Sequence, residues 1–315
     1  MTFQVTVSGP DIAAEIFTAL MTQTNEPDYE VLVEPGLYDW QQTQVFSFTD
    51  GKKRVVRCSD PNGRVQINLV PGTAITLMHG ILELEFLDFD TNQPGRVFEV
   101  ADWCSFTMRN VVLDGTNSAQ LGWTVGVKTI GQGHGVVLTL AGVKMSHYAV
   151  GVWALQSSPL LSLLTVIGCG FRAVLGGVAA KNLTAATIAD SRFDLCGWGC
   201  IVTTDEYHSV ETHVVVRNNQ FSDCFVGLRV SYEPAPSGPI PAAQVTVEAN
   251  EFRNPASRSF PDPTISSVTC VTLEFQPPPP LSSPWIYAAV WTRRRDGVWP
   301  GRIPHARRPA DQGRS

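Results

Sequence analysis

The sequence predicts an all-β chain wound as a solenoid, and three observations predict it. A bulky apolar residue followed six positions later by Gly recurs along the chain, at Phe89/Gly95, Met145/Gly151, Phe171/Gly177, Phe193/Gly199 and Phe221/Gly227. The positions around these anchors sort by polarity. The composition combines only 17% charged residues with 26 Gly and 22 Pro among 315 residues, as expected of many short strands separated by turns.

The repeat carries most weight. Leu113 and Phe252 extend the series, and from Phe89 the anchors advance by 24, 32, 26, 22, 28 and 31 residues, the length of one solenoid coil with loops of variable size. Before the anchors stand Asp88, Lys144, Gly170, Arg192, Gln220 and Glu251; after them stand Asp90, Ser146, Arg172, Asp194, Ser222 and Arg253. Both columns are mostly polar, so strand alternation points them to solvent while the anchors point inward. Three positions after the anchors stand Tyr148, Val174, Cys196 and Cys224, an apolar column again. The recurring Gly is read as a corner residue that tolerates φ > 0. Asn218, Asn219 and Asn250 mark another corner and a short Asn ladder.

One helix precedes the repeats. Ser8-Gly9-Pro10-Asp11 supplies a cap residue, an early Pro and an acid three positions after the Ser. Ile12, Ile16, Phe17 and Leu20 then recur at helical spacing. At the other end, residues 276–315 hold seven Arg, two Asp and eight Pro, a charge of +5, which leaves −11 on residues 1–275. The expected organisation is a solenoid domain over 1–275 and an irregular, disordered Pro/Arg-rich tail over 276–315.

Composition excludes some classes. An acidic body disfavours nucleic-acid binding. No apolar run reaches a membrane span. The start of the chain reads as no signal peptide, and seven Cys without a CxxC spacing favour a reducing compartment, so a cytoplasmic location is expected. Gly131-Gln-Gly133-His-Gly135 precedes a strand and is read as a corner, not a phosphate loop. No cofactor is expected.

The amphipathic helix, the strand ending Val33-Glu34-Pro35-Gly36-Leu37-Tyr38, and repeats such as Val214–Phe221 and Val245–Phe252 together resemble the pectate-lyase-like superfamily over residues 3–275. The resemblance implies an all-β, right-handed parallel β-helix whose N-terminal helix caps the first coil. It implies a sugar-binding groove and a lyase, hydrolase or epimerase acting on an acidic or modified glycan. The paired Asp residues of β-helix glycosidases would stand beside the recurring Gly, but Pro94, Val150, Gly176, Trp198 and Val226 stand there instead. No Asp/Arg cluster resembles the calcium groove of pectate lyases. A second resemblance, over Val97–Val100 and Phe106–Leu113, is to the β-helix of large early and capsid-associated adenoviral proteins. It implies a non-enzymatic scaffold that binds a partner or forms a homotrimer. A third reading is an intracellular isomerase or cyclase acting on a small molecule.

Candidate catalytic residues are Asp190, Arg192 and Asp194, at alternating positions, with Asp223 one coil above. They would do acid/base work while Arg192 stabilises an enolate-like charge; the alternative is a solvated face with surface ion pairs. Trp153 and Arg229 share a column and make a candidate sugar platform, unless a one-residue register slip turns Trp153 inward. His208 with Asp205, Glu206 and Glu211 is a candidate divalent-metal cluster, although no His/Cys spacing fits structural zinc. Cys196 and Cys224 are read as stacked core thiols.

Overall fold

The computed structural model describes residues 2–22, 26, 28–70, 72–91, 96–115, 124–131, 134–155, 162–204, 212–224, 226–232, 243–253, 269–275 and 287–293. Apart from the helix Ile12–Met21, its regular elements are strands, and the chain is a parallel β-solenoid with three faces. One coil runs through Leu163–Ile167, Gly170–Arg172 and Gly176–Lys181. The next coil lays Ala185–Ala189, Arg192–Asp194 and Trp198–Thr204 on these three strands in parallel register. The faces are called here the threonine face, the narrow face and the glycine face, in that order along each coil.

The anchors form one inward column on the narrow face. Leu113, Met145, Phe171, Phe193, Phe221 and Phe252 are paired in register. From Phe171 to Phe252 the rings lie 4.9, 4.8 and 4.9 Å apart and within 9° of parallel, so the rings stack at the spacing of the hydrogen-bonded coils. Tyr148, Val174, Cys196 and Cys224 are buried as their column requires.

The recurring Gly has a different cause from the one expected. Gly151, Gly177 and Gly199 are not among the residues with positive φ. A Cβ on Gly177 would meet the Phe193 ring at 2.7 Å and the Gly199 carbonyl oxygen at 2.3 Å. Gly151 and Gly199 face the same obstruction from Phe171 and Phe221. Glycine is therefore required by close approach of the next coil's ring and backbone, not by backbone conformation.

The positive φ values sit at the two ends of the narrow face. Asn110, Gly142, Gly168, Asp190, Asn218 and Ala249 take it at the entry, with φ from 52° to 65°. His147, Ala173, Leu195 and Asp223 take it at the exit. All but Ala249 turn the N–H up to a carbonyl of the following coil: Asp190 N donates to Arg217 O at 3.1 Å and Asp223 N to Arg253 O at 2.9 Å. Asn and Asp tolerate this conformation better than most residues.

Behind the entry corner runs a buried polar ladder. Ser191 N donates to Asn219 Oδ1 at 2.9 Å, and Asn219 N donates to Asn250 Oδ1 at 2.9 Å. The amide groups of Asn219 and Asn250 donate in turn to the carbonyls of Ile188 and Val216, both at 2.8 Å. The Asn ladder is thus real and is extended downward by Ser191, whose Oγ accepts from Cys169 N.

The helix covers the open first coils with Ile12, Ile16 and Leu20. Its N-cap is Asp11, whose carboxylate accepts from Ala14 N at 3.2 Å, and not Ser8. Glu15 reaches back instead to the backbone N–H groups of Ser8 and Gly9. Buried Arg54 fastens the cap from below. Its Nε donates to Leu20 O at 3.0 Å, its guanidinium lies over Phe48 and Tyr29, and it forks onto Asp50 at 2.8 and 2.9 Å. That fork holds the Asp50 carboxyl down at about 2. Within the tail, the strand Tyr287–Arg293 stacks on Ala243–Arg253, and the remainder of 276–315 lies outside the described residues.

Candidate functional site

The six residues singled out from sequence fall on two faces. Arg192 and Asp194 project from the narrow face, where Arg192 Nη2 lies 3.7 Å from Asp194 Oδ2. Asp190 and Asp223 do not join them on a strand face. They are the left-handed corner residues at opposite ends of that face, so the alternation through 190, 192 and 194 is interrupted by the corner at Asp190. Trp153 and Arg229 share an outward column of the glycine face, running Lys128, Trp153, Ala179, Ile201, Arg229. The register does not slip, and Trp153 is half-buried, not inside. Three coil steps separate Trp153 from Arg229, about 14 Å at the spacing of neighbouring strands. One monosaccharide cannot touch both.

The narrow face carries a stronger constellation. Its first outward column reads Asp88, Val112, Lys144, Gly170, Arg192, Gln220 and Glu251. Its second reads Asp90, Asp114, Ser146, Arg172, Asp194, Ser222 and Arg253. Lys144, Arg172 and Arg192 therefore lie on three consecutive coils, all exposed, with Asp194 the one carboxylate in those rows. Among the described residues neither Lys144 nor Arg172 has a carboxylate within 4 Å. Gly170 leaves a notch between Lys144 and Arg192, because a Cβ there would meet only the Lys144 Cγ, at 4.0 Å. Lys144 and Arg192 flank this notch two coil steps apart, about 10 Å between backbones.

A proton-handling pair adjoins the cations. His147 Nδ1 lies 2.8 Å from Asp114 Oδ1, and Ser146 Oγ donates to the same oxygen at 2.8 Å. The exit corner creates this contact. The left-handed backbone at His147 swings its ring back over the coil below, where Asp114 sits in register with Ser146. A carboxylate hydrogen-bonded to one imidazole nitrogen fixes the ring's orientation.

Other candidates carry less. His208 with Asp205, Glu206 and Glu211 lies outside the described residues. Among the described residues no cluster of three His, Cys, Asp or Glu side chains can hold a metal. Six cysteines are free thiols, all buried, Cys196 and Cys224 included. Burial pushes Cys104 and Cys169 up to about 11, and Cys196 is raised by its hydrogen bond with Cys224 and by burial. A cavity beneath the helix, lined by Ile16, Leu20, Trp40, Phe46 and Phe89, lies inside the apolar core and apart from both faces. No helix among the described residues is long and apolar enough to cross a membrane.

No family model matches the sequence, and no curated protein matches it. Among solved structures the chain is similar to the PL6 family alginate lyase AlyGC, at 10% identity and a TM-score of 0.46, with 92% of this chain and 39% of that one covered. It is also similar to the PL6 family polysaccharide lyase Pedsa3628 from Pseudopedobacter saltans, at 11% identity and a TM-score of 0.33, with 94% and 98% covered. The chain spans about two fifths of the length of AlyGC.

Proposed function

We propose that the narrow face binds an acidic glycan and that the protein acts on it by proton abstraction beside a uronate carboxylate. The observation that carries this reading is the run of Lys144, Arg172 and Arg192 on consecutive coils, over the Gly170 notch, with one carboxylate among them. Fixed cations beside a uronate carboxylate neutralise it and stabilise the enolate-like charge that develops when the neighbouring C–H is deprotonated. Arginine suits a planar carboxylate by bidentate hydrogen bonding. The Asp114–His147 pair, on the two coils that include and precede Lys144, supplies an oriented imidazole as the candidate base. Collapse of the enolate-like species by expulsion of the glycosidic oxygen is a lyase reaction; reprotonation on the other face is an epimerase reaction. Hydrolysis needs two carboxylates placed around the scissile bond, and the outward columns of the narrow face on the coils that bear the cations offer only Asp194.

The test is incubation with oligouronates, following the ultraviolet absorbance of the unsaturated product and, in parallel, binding by calorimetry at low and high salt. Salt-sensitive binding that is lost in the Lys144→Ala/Arg172→Ala/Arg192→Ala variant is expected. Absence of binding to every uronate polymer tried contradicts the proposal.

A further inference from the structure

The threonine face carries a different pattern, independent of the glycan reading. Its central outward column reads Glu83, Thr107, Thr139, Thr165, Thr187, Val215 and Thr246. On one side of it stand Val137, Leu163 and Ala185; on the other stand Ala141, Ile167 and Ala189. Three consecutive coils therefore carry no charge at these nine positions; eight of them are at least partly exposed, Ala189 being buried, and Leu163 and Ile167 are each 40% exposed. Flat, regular, uncharged sheet surface is what sheet-on-sheet packing needs.

The charges bounding this patch name the occupant. Along one edge the register runs Arg57, Glu85, Arg109, Ala141, Ile167, Ala189, Arg217, Glu248. Reflected about the midpoint between Ala141 and Ile167, Arg57 falls on Glu248 and Glu85 falls on Arg217. Among the described residues Arg217 and Glu248 have no ion pair, and Glu85 has only Arg109, at 3.6 Å. A pattern that complements its own reversal is the requirement of an isologous two-fold interface.

We infer that the threonine face is a docking surface for a second copy of this chain, the two solenoids running antiparallel about a two-fold axis that lies along the strands between Val137–Ala141 and Leu163–Ile167. That axis keeps each column opposite itself and reverses the order of the coils. Thr139 of one copy then meets Thr165 of the other, Val137 meets Leu163, and Ala141 meets Ile167. The Glu85–Arg217 pairs close the two ends, while Arg57, opposite Glu248, is already paired with Glu30 of its own chain. Eight coils of strands about five residues long give roughly 600 Å² per copy, or about 1,200 Å² in all, which reaches the lower bound of a specific interface.

Sedimentation of the full chain over a range of concentrations tests this. The wild type is expected to be a reversible dimer. Thr165→Arg places two like charges near the axis and is expected to weaken dimerisation by more than about tenfold, with an unchanged circular dichroism spectrum. Glu85→Arg and Arg217→Glu should each weaken the dimer by about tenfold, and the double charge reversal should restore it to within about threefold of wild type. A wild type that stays monomeric or forms a trimer overturns the inference. So does a dimer indifferent to Thr165→Arg, or a double reversal no better than the single ones.

Discussion

The threonine face and the narrow face belong to the same coils and share one core, yet their outward chemistry is opposite. Over the coils from Val137 to Ala189 the threonine face carries no charge. Over nearly the same coils the narrow face carries Lys144, Arg172 and Arg192. The inward columns cannot account for the difference, because both faces rest on stacked apolar side chains. The difference teaches that a solenoid's fold leaves each outward column free: the core sets the spacing, and each face is a lattice of nearly 5 Å steps on which a distinct surface is written.

The largest expected effect strikes both faces together. Phe193 is fully buried and stacked on both sides, so Phe193→Ala should cost about 3–5 kcal/mol in chemical denaturation. Glycan affinity and self-association should then fall together. Loss of one with the other retained would show that the faces do not share a core. Gly177→Ala comes next. Its methyl group would push against the Phe193 ring and the Gly199 carbonyl, a clash expected to cost about 1–3 kcal/mol by the same measurement. A neutral effect would return Gly177 to the role of an ordinary strand residue.

The smallest effect lies at the cap, where the threonine face begins. Asp50 is depressed to about 2 in the folded protein by Arg54, from a usual value of 3.8. Its contribution is therefore fully present above pH 3.8 and is lost as the pH falls toward 2. Asp50 is about a third exposed, so the effect is modest. Acid titration of thermal stability should show a larger fall over that window in wild type than in Asp50→Asn.

The solenoid was legible in the sequence because stacking demands the same inward residue type once per coil, and Phe171, Phe193, Phe221 and Phe252 meet that demand. The reason for the recurring Gly was not legible. It depends on how near the next coil's phenylalanine ring comes, and neither strand alternation nor turn propensity reports that. Asp190 misled for a related reason: a single left-handed corner residue breaks the period-two alternation without leaving a Gly or Pro to mark it. The cation run was present in the aligned columns, as Lys144 before one anchor and Arg172 and Arg192 around the next two. Reading those columns for charge along the stack, and not only for polarity, finds it. The Asp114–His147 contact depends on the conformation of the exit corner, which an ordinary His gives no sign of.

On the proposed reading the narrow face, and not the column of Trp153 and Arg229, holds the glycan. Calorimetric titration of one acidic oligosaccharide into Arg172→Ala and Arg229→Ala, side by side with wild type, tests it most directly. Arg172→Ala is expected to weaken binding by about tenfold or more, equivalent to about 1.4 kcal/mol, while Arg229→Ala leaves it within about twofold. Binding weakened by Arg229→Ala and untouched by Arg172→Ala would contradict it.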